Sequence, residues 1–406
     1  MLYIEFYLLF CLCILFIQGQ QTTIKLPYTL INDGVNIDLN QESRSQKYSL
    51  RIDQYSSFTW ISSLLERQRN SKTKKMISQE PIAINYLPND KTYADLYVDL
   101  ITIEDNNIEL AYFVPTSSKK DDNGLTFAYR IENPSFSLVH SLYNKKMIDK
   151  LSYAVVPENK NKGFIYFGEL PFITNDTFSQ RLEGKCKIIN ERWSCPIIGG
   201  NIGRFMYYSG VLSNETIFQL GEKTLYVPKS FLEFVVRSLN IHVNRNKKCK
   251  MKASNNKDYY FINCYSGNLV KGKNITLNIG DYKYTLPLEN FFTWNNGDLI
   301  STMLYNEKKC LNVTNKKRKH CWIIGSDFLL NYISVFDYED SSISLISKDS
   351  SSLIEMRRSV DYMKYRKKQL FIKVGSKAIK INIIILSACA LYLYRLKYKL
   401  MYFKFM

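Results

Sequence analysis

The sequence predicts an all-β fold with a few short helices, arranged as two similar halves around a cleft. Three observations carry this. Between residues 22 and 346 the chain is a succession of short runs rich in β-branched and aromatic residues, a composition that suits a pleated, half-buried surface. Turn formers punctuate the runs. Only two segments show helical spacing.

In chain order the strand runs are TIKLPYTLI (23–31), KYSLRID (47–53), ADLYVDLITI (94–103), IELAYFV (108–114), FIYFGEL (164–170), TLYVP (224–228), NITLNIG (274–280), KYTLPL (283–288) and ISVFDY (333–338). The turns NDG, EDNN and NNGD separate neighbours. The helical segments are PSFSLVHSLYNKK (134–146) and PKSFLEFVVRSL (228–239). An internal repeat lays IDQYSSFTWI (52–61) over FQLGEKTLYV (218–227), 166 residues later. Each half then carries an apolar cluster at a turn, NGLTFA (123–128) and WIIGSDF (322–328). Two halves imply a cleft between them, a common place for a ligand.

The chain opens with MLYIEFYLLFCLCILFIQGQQ, whose apolar run from Phe6 to Ile17 reads as a secretory signal peptide cut near Gln20. The six cysteines between residues 21 and 347, Cys186, Cys195, Cys249, Cys264, Cys310 and Cys321, read as disulfides of an oxidising compartment. Cys186 and Cys195 are expected partners because no other cysteine lies near them; the other four allow three pairings. Sequons begin at Asn175, Asn214, Asn274 and Asn312, as on a glycosylated lumenal surface. No Cys/His spacing suggests a metal, and no phosphate loop or G-x-S-x-G is present, so neither metal nor cofactor is expected. GGNIG (199–203) lacks the spacing of a dinucleotide loop and reads as a plain loop.

The net charge of +18 is uneven. Residues 348–406 hold 14 Lys and Arg against 3 Asp and Glu, and the other 347 residues hold 41 against 34. The body is mildly basic and the tail strongly so. KKRKH (316–320) sits between Cys310 and Cys321 and reads as a solvated loop, so no nucleic-acid partner is expected. In the tail, Ile381 to Tyr394 is an uncharged run of 14 residues, short of the ~20 that span a bilayer. Flanking Lys380 and Arg395, with Tyr392 and Tyr394, suit an interface, so membrane association is expected there.

In the order of its segments the chain resembles the pepsin-like aspartic proteases over residues 22 to 346. WIIGSDFLLNYISVFDYEDSSISL (322–345) is similar to that family's ILGD-x-F-L-x-x-Y-Y-x-V-F-D segment, and DQYSSFTW keeps the spacing of DTGSSxLW. NGLTFAYRIENPSFSLVHSLYNKKMIDKLSYAVVPENKNKGFIYFGEL follows the family's DGILGLG to FGG course, and Tyr86 stands at the place of its flap tyrosine. The resemblance implies a bilobal acid-protease fold: signal peptide 1–20, N-terminal lobe 21–175, C-terminal lobe 176–347 and basic tail 348–406. It also implies aspartic endopeptidase chemistry, in which two facing carboxylates share one proton and activate a water.

Here that pair is broken. Asp53 holds the first acid position, with Gln54 and Tyr55 where the family has Thr and Gly. Gln219 replaces the second acid, Gly221 survives, and Glu222 stands where a small hydroxyl residue is usual. The supporting turns read as Phe127 in place of a glycine in the first lobe and Gly325 in the second. Tyr55, Ser56, Tyr86, Phe127, Gly221, Glu222 and Gly325 are expected to line the cleft, with the rings of Tyr55 and Phe127 at its floor. Gln219 hydrogen-bonds but exchanges no proton. The 32 residues from Gln21 to Asp53 are taken up by strands, so no inhibitory pro-segment is expected. The leading expectation is a secreted or membrane-tethered, monomeric, glycosylated pseudoenzyme whose cleft holds polypeptide. The rivals are an active endopeptidase with a displaced acid and a non-catalytic surface-recognition glycoprotein.

Overall fold

The structure is a computed structural model that describes residues 23–31, 34–41, 47–68, 72–87, 90–116, 123–170, 183–208, 215–241, 248–309, 322–348 and 353–356. The signal segment, Asn175, Asn214, Asn312, Cys310, Cys321, KKRKH and the run 381–394 lie outside those residues. The chain divides into two compact units, residues 1–355 and 356–406, and the first is the body.

One sheet joins the two halves. Ile24–Ile31, Lys162–Phe167 and Ser152–Pro157 come from the first half; Tyr332–Asp337, Ser342–Ser347 and Glu183–Lys187 come from the second. The middle pair is antiparallel, with Val335 opposite Ala154 and Phe336 opposite Tyr153. Glu183–Lys187 is the outer strand on one side, whereas Ile24–Ile31 continues into Gly34–Gln41 and Lys47–Asp53.

Strand formation follows the sequence pattern. Ile24–Ile31 alternates buried Ile24 and Tyr28 with outward Lys25 and Thr29. At EDNN, Glu104 and Asp105 take positive φ (45° and 66°), and at NNGD Asn296 and Gly297 do the same (49° and 84°). These are the two-residue turns whose twist matches the strands they join. Asn and Gly tolerate that conformation at low cost; the first turn asks it of an acidic pair.

GGNIG is not a loop. Gly199 and Gly200 belong to the strand Ser194–Ile202, and only Gly203 turns. A Cβ on Gly199 would run into the Tyr207 carbonyl, and one on Gly200 would lie 2.6 Å from Thr276 O. Glycine is needed there for the close approach of two neighbouring strands.

Both expected helices form. Pro134–Phe136 is a 3₁₀ turn capped by the Asn133 side chain, and Leu138–Asn144 is an α-helix whose first turn is capped by Ser137. Lys229–Leu239 buries Phe231, Leu232, Val235 and Leu239, one stripe at helical spacing. Short helices at Ser63–Gln68 and Ser326–Leu329 were not expected. Among the described residues no helix is long and apolar enough to cross a membrane.

Cys186 is bonded to Cys195, as their isolation in sequence suggested. Cys249 is bonded to Cys264 with Cα atoms 4.0 Å apart, which selects one of the three pairings left open. Leu353–Met356 adds a further strand beside Tyr282–Pro287, and Ile354 is buried in the main core. Apolar burial at Ile354 ties the start of the tail to the second half.

Candidate active site

Each half ends a strand at the cleft and supports it with a parallel neighbour. In the first half β1 (Lys47–Asp53) runs beside β2 (Gly124–Thr126), with Asp53 opposite Thr126. In the second half β3 (Glu215–Phe218) runs beside β4 (Trp322–Ile324), with Phe218 opposite Ile324. The turns Asp53–Ser56 and Gln219–Glu222 follow β1 and β3.

The Asp53 carboxylate is held by its own turn. Oδ1 accepts the N–H groups of Tyr55 (2.8 Å) and Ser56 (3.1 Å), and Oδ2 faces the Trp60 indole N–H at 3.4 Å. Trp60 is fixed in turn by Gly124, where any Cβ would strike its indole ring. Ser56 completes the turn: its hydroxyl donates to Phe58 O and accepts Phe58 N–H, and Thr126 donates to the Ser56 carbonyl.

The second turn follows a similarly paired strand and carries a different side chain. Gln219 N–H donates to Ile324 O at 2.9 Å, and Gln219 O accepts Glu222 N–H at 3.2 Å. The buried Oε1 of Gln219 accepts no hydrogen bond among the described residues. An amide so placed has no proton to exchange.

Gln54 bolts the two turns together. It is 4% exposed, its Oε1 accepts Leu220 N–H at 2.6 Å, and its Nε2 donates to the Tyr153 hydroxyl at 2.6 Å. Leu220 O in turn accepts Val35 N–H, and a Cβ on Gly221 would collide with Ile52 O. The surviving glycine thus serves the approach of one turn to the other strand. Sequence reasoning recorded Gln54 only as a departure from Thr. Its length, which reaches a donor in one half and an acceptor in the other, is the signal that was there to read.

Tyr55 crosses to the second half. Its half-buried ring packs on Ile217 and Ile323, beside Tyr226. Burial raises its phenol above the usual range; Arg192 pulls it back and Asp53 adds to the rise.

Phe127 is a correction. It is fully buried, with Tyr153 4.8 Å and Phe167 6.0 Å from its ring, and its carbonyl accepts the Trp193 indole N–H at 2.6 Å. It belongs to the core beneath the turn and does not line the cleft. The register shows why: one step past Phe218 opposite Ile324 brings Gln219 opposite Gly325, whereas Asp53 is opposite Thr126. The residue in the place of Gly325 is Thr126, and the next residue on a strand points to the other face.

Glu222 is engaged elsewhere. Its carboxylate pairs with Lys309, and its carbonyl accepts Ser326 N–H at 2.7 Å. Gly325 is hemmed in by the carbonyls of Glu222, Lys223 and Thr224, so no side chain fits there. Tyr86 lies on the strand Ile82–Leu87, and its side chain is outside the described part. Sequence reasoning missed an apolar cluster beside the first turn, built from Phe58, Ile84, Phe113 and Phe136 with Ile131 half-buried against it. Alternation in IELAYFV held a sign of it, since Ala111 and Phe113 share a face. Among the described residues no three His, Cys, Asp or Glu gather as a metal site.

Paired turns of this kind, one behind Asp53 and one behind Gln219, can be set against known proteins. The family model Eukaryotic aspartyl protease matches residues 42–348, three quarters of the chain. The chain belongs to that family. Among solved structures it is similar in fold to the aspartic proteinase from Irpex lacteus, at a TM-score of 0.59 and 13% identity, covering 81% of this chain and 98% of that one. No curated protein matches it significantly. The fold is the family's bilobal one, and the segments that carried the resemblance are those that build the two turns. Two disulfides fit the oxidising setting in which such folds mature.

Proposed function

We propose that this member of the aspartyl protease family is a pseudoprotease that binds polypeptide in its cleft without cutting it. The observation that carries the reading is Gln219 on a turn locked to the Asp53 turn through Leu220 and Gln54. Peptide hydrolysis on this fold needs a second carboxyl to share and return a proton, and loss of one such partner typically costs about 10²–10⁴-fold in rate. Glu222 does not substitute, because its carboxylate is paired with Lys309. Tyr55, packed on Ile217 and Ile323, occupies the second-half side of the floor. Leu96, Val98 and Ile131, half-buried against the apolar cluster around Phe58, offer apolar surface for side chains of a bound chain. The same reading makes the protein a product of the secretory pathway, glycosylated at exposed Asn274.

The test uses the full chain with reduced, carboxymethylated casein from pH 2 to 7. No cleavage is expected, from the wild type or from Asp53→Ala. Retained binding of the intact casein, weakened by Ile131→Asp, is expected alongside. Cleavage abolished by Asp53→Ala would overturn the reading, since it would show the acid working with another partner. Glycosidase treatment of the native protein is expected to lower its apparent mass.

A further inference from the structure

One end of the small second-half sheet is exposed and has an unusual composition. The sheet runs Lys250–Ala253, Tyr260–Cys264, Asp298–Ser301, Phe292–Asn295. Its register brings Lys250, Tyr265 and the hairpin tip Asn295–Asp298 to the same end, since Lys250 pairs with Asn263, Cys264 with Leu299, and Asn295 with Asp298. Trp294 at this tip is 64% exposed and Tyr265 is 45% exposed. The Lys250 and Lys252 ammonium groups each lie 5.9 Å from the Tyr265 ring. Lys271 is exposed just beyond. One acid, Asp298, stands at this end, drawn to Asn263 (2.8 Å) and Lys252 (3.9 Å).

The two rings are presented on a firm base. A Cβ on Gly267 would lie 2.9 Å from the Trp294 ring, so the indole rests close over a bare backbone. The hairpin turn beside it is the tight kind set by positive φ at Asn296 and Gly297.

We propose that this end of the sheet is a docking point for an anionic lipid surface. Tryptophan and tyrosine favour the boundary between acyl chains and headgroups, and lysines beside them meet lipid phosphates and carboxylates. The rest of the chain supplies the reason for a second contact. Residues 357–406 carry 13 Lys and Arg against one acid, and their apolar run, Ile381 to Tyr394, is 14 residues long. That run is too short to span, and lasting attachment of a peripheral protein takes two signals. Sequence reading placed membrane association in the tail alone; the sheet end adds a patch on the folded body.

The four tryptophans make the test specific. Trp60, Trp193 and Trp322 are at most 1% exposed, so changes in emission on contact report Trp294. The full chain is mixed with vesicles of phosphatidylcholine, with or without phosphatidylserine, with brominated acyl chains as quencher. With phosphatidylserine present, emission is expected to shift to the blue and to be quenched, and Trp294→Phe is expected to remove both changes. Lys250→Gln and Lys252→Gln are each expected to weaken binding on the order of fivefold. Binding without quenching of Trp294 would overturn the proposal by showing that the tail alone makes contact. So would an absence of binding, or binding indifferent to phosphatidylserine and to both lysines. An unchanged near-UV circular dichroism spectrum in each variant guards against misfolding.

Discussion

At the first turn the carboxylate of Asp53 gathers two main-chain N–H groups and faces an indole; at the second, the amide oxygen of Gln219 is buried and accepts nothing among the described residues. Yet the backbones behind these side chains correspond closely. Each turn follows a strand with a parallel neighbour, and the two touch through Leu220, Gly221 and Gln54. The difference teaches that the backbone frame of the two turns and the side chains it presents are separable. Close backbone approach depends on glycine and on buried hydrogen bonds. The charge at each turn depends on one side chain, a carboxylate at Asp53 and an amide at Gln219.

The strongest way to break the comparison is at Gly221. Alanine there would force a Cβ into Ile52 O, and neither backbone can yield without parting the turns. Gly221→Ala is expected to destabilise by more than about 4 kcal/mol, the range of a severe core clash, as read from chemical denaturation. Next comes Gln54→Ala, which leaves Leu220 N–H and the Tyr153 hydroxyl without their partner. Each orphaned buried group costs about 1–3 kcal/mol, so a loss of about 3 kcal/mol is expected. Gln54→Thr should lose less if a short hydroxyl still meets Leu220; an equal loss would show that the length of Gln54 is what counts.

A smaller effect separates the halves by pH. His140, in the first-half helix Leu138–Asn144, is the one described histidine; burial lowers its pKa from 6.5 to about 4. Its neutral form is favoured in the folded state, so its contribution is fully present above about pH 6.5. That contribution is lost as pH falls towards about 4, because the unfolded chain binds the proton more readily in this window. Denaturation midpoints measured from pH 7 to 4 should therefore fall less steeply in His140→Gln than in the wild type. The smallest change is expected at Glu222→Gln. The pair with Lys309 is partly solvated, with side-chain exposures of 19% and 31%, and its loss should cost at most about 1 kcal/mol. A loss several times larger would mean that this pair, and not the glycine contacts, orients the second turn.

Much of this was legible in the sequence. Alternation located strands such as Ile24–Ile31, and the spacing from Asp53 to Trp60 located the first turn. Gln219 could be placed on the second turn because Gly221 marks that turn. What was not legible depends on contacts between distant residues. Phe127 was assigned to the wrong face because β2 is three residues long and a one-residue error in register inverts every side chain. GGNIG was read as a loop because glycine signals a turn and close strand packing alike. Gln54 looked like a lapse from a motif; its partners, Leu220 and Tyr153, lie 166 and 99 residues away.

The sheet that joins the halves has a consequence for the integrity of the molecule. Ten of its thirteen strands precede Gly168 and three follow Gln180, and the seam between them is the hydrogen-bonded pair Ser152–Pro157 and Tyr332–Asp337. The ladder that holds the halves is thus formed by strands far from their junction in sequence. A single protease nick between Phe167 and Glu183 would cut the covalent chain and leave that seam untouched. The two fragments would stay associated as a non-covalent heterodimer and migrate as one species until a denaturant separated them. In this sense the protein is already a dimer of its own halves, with the backbone acting as a leash that keeps their concentration high.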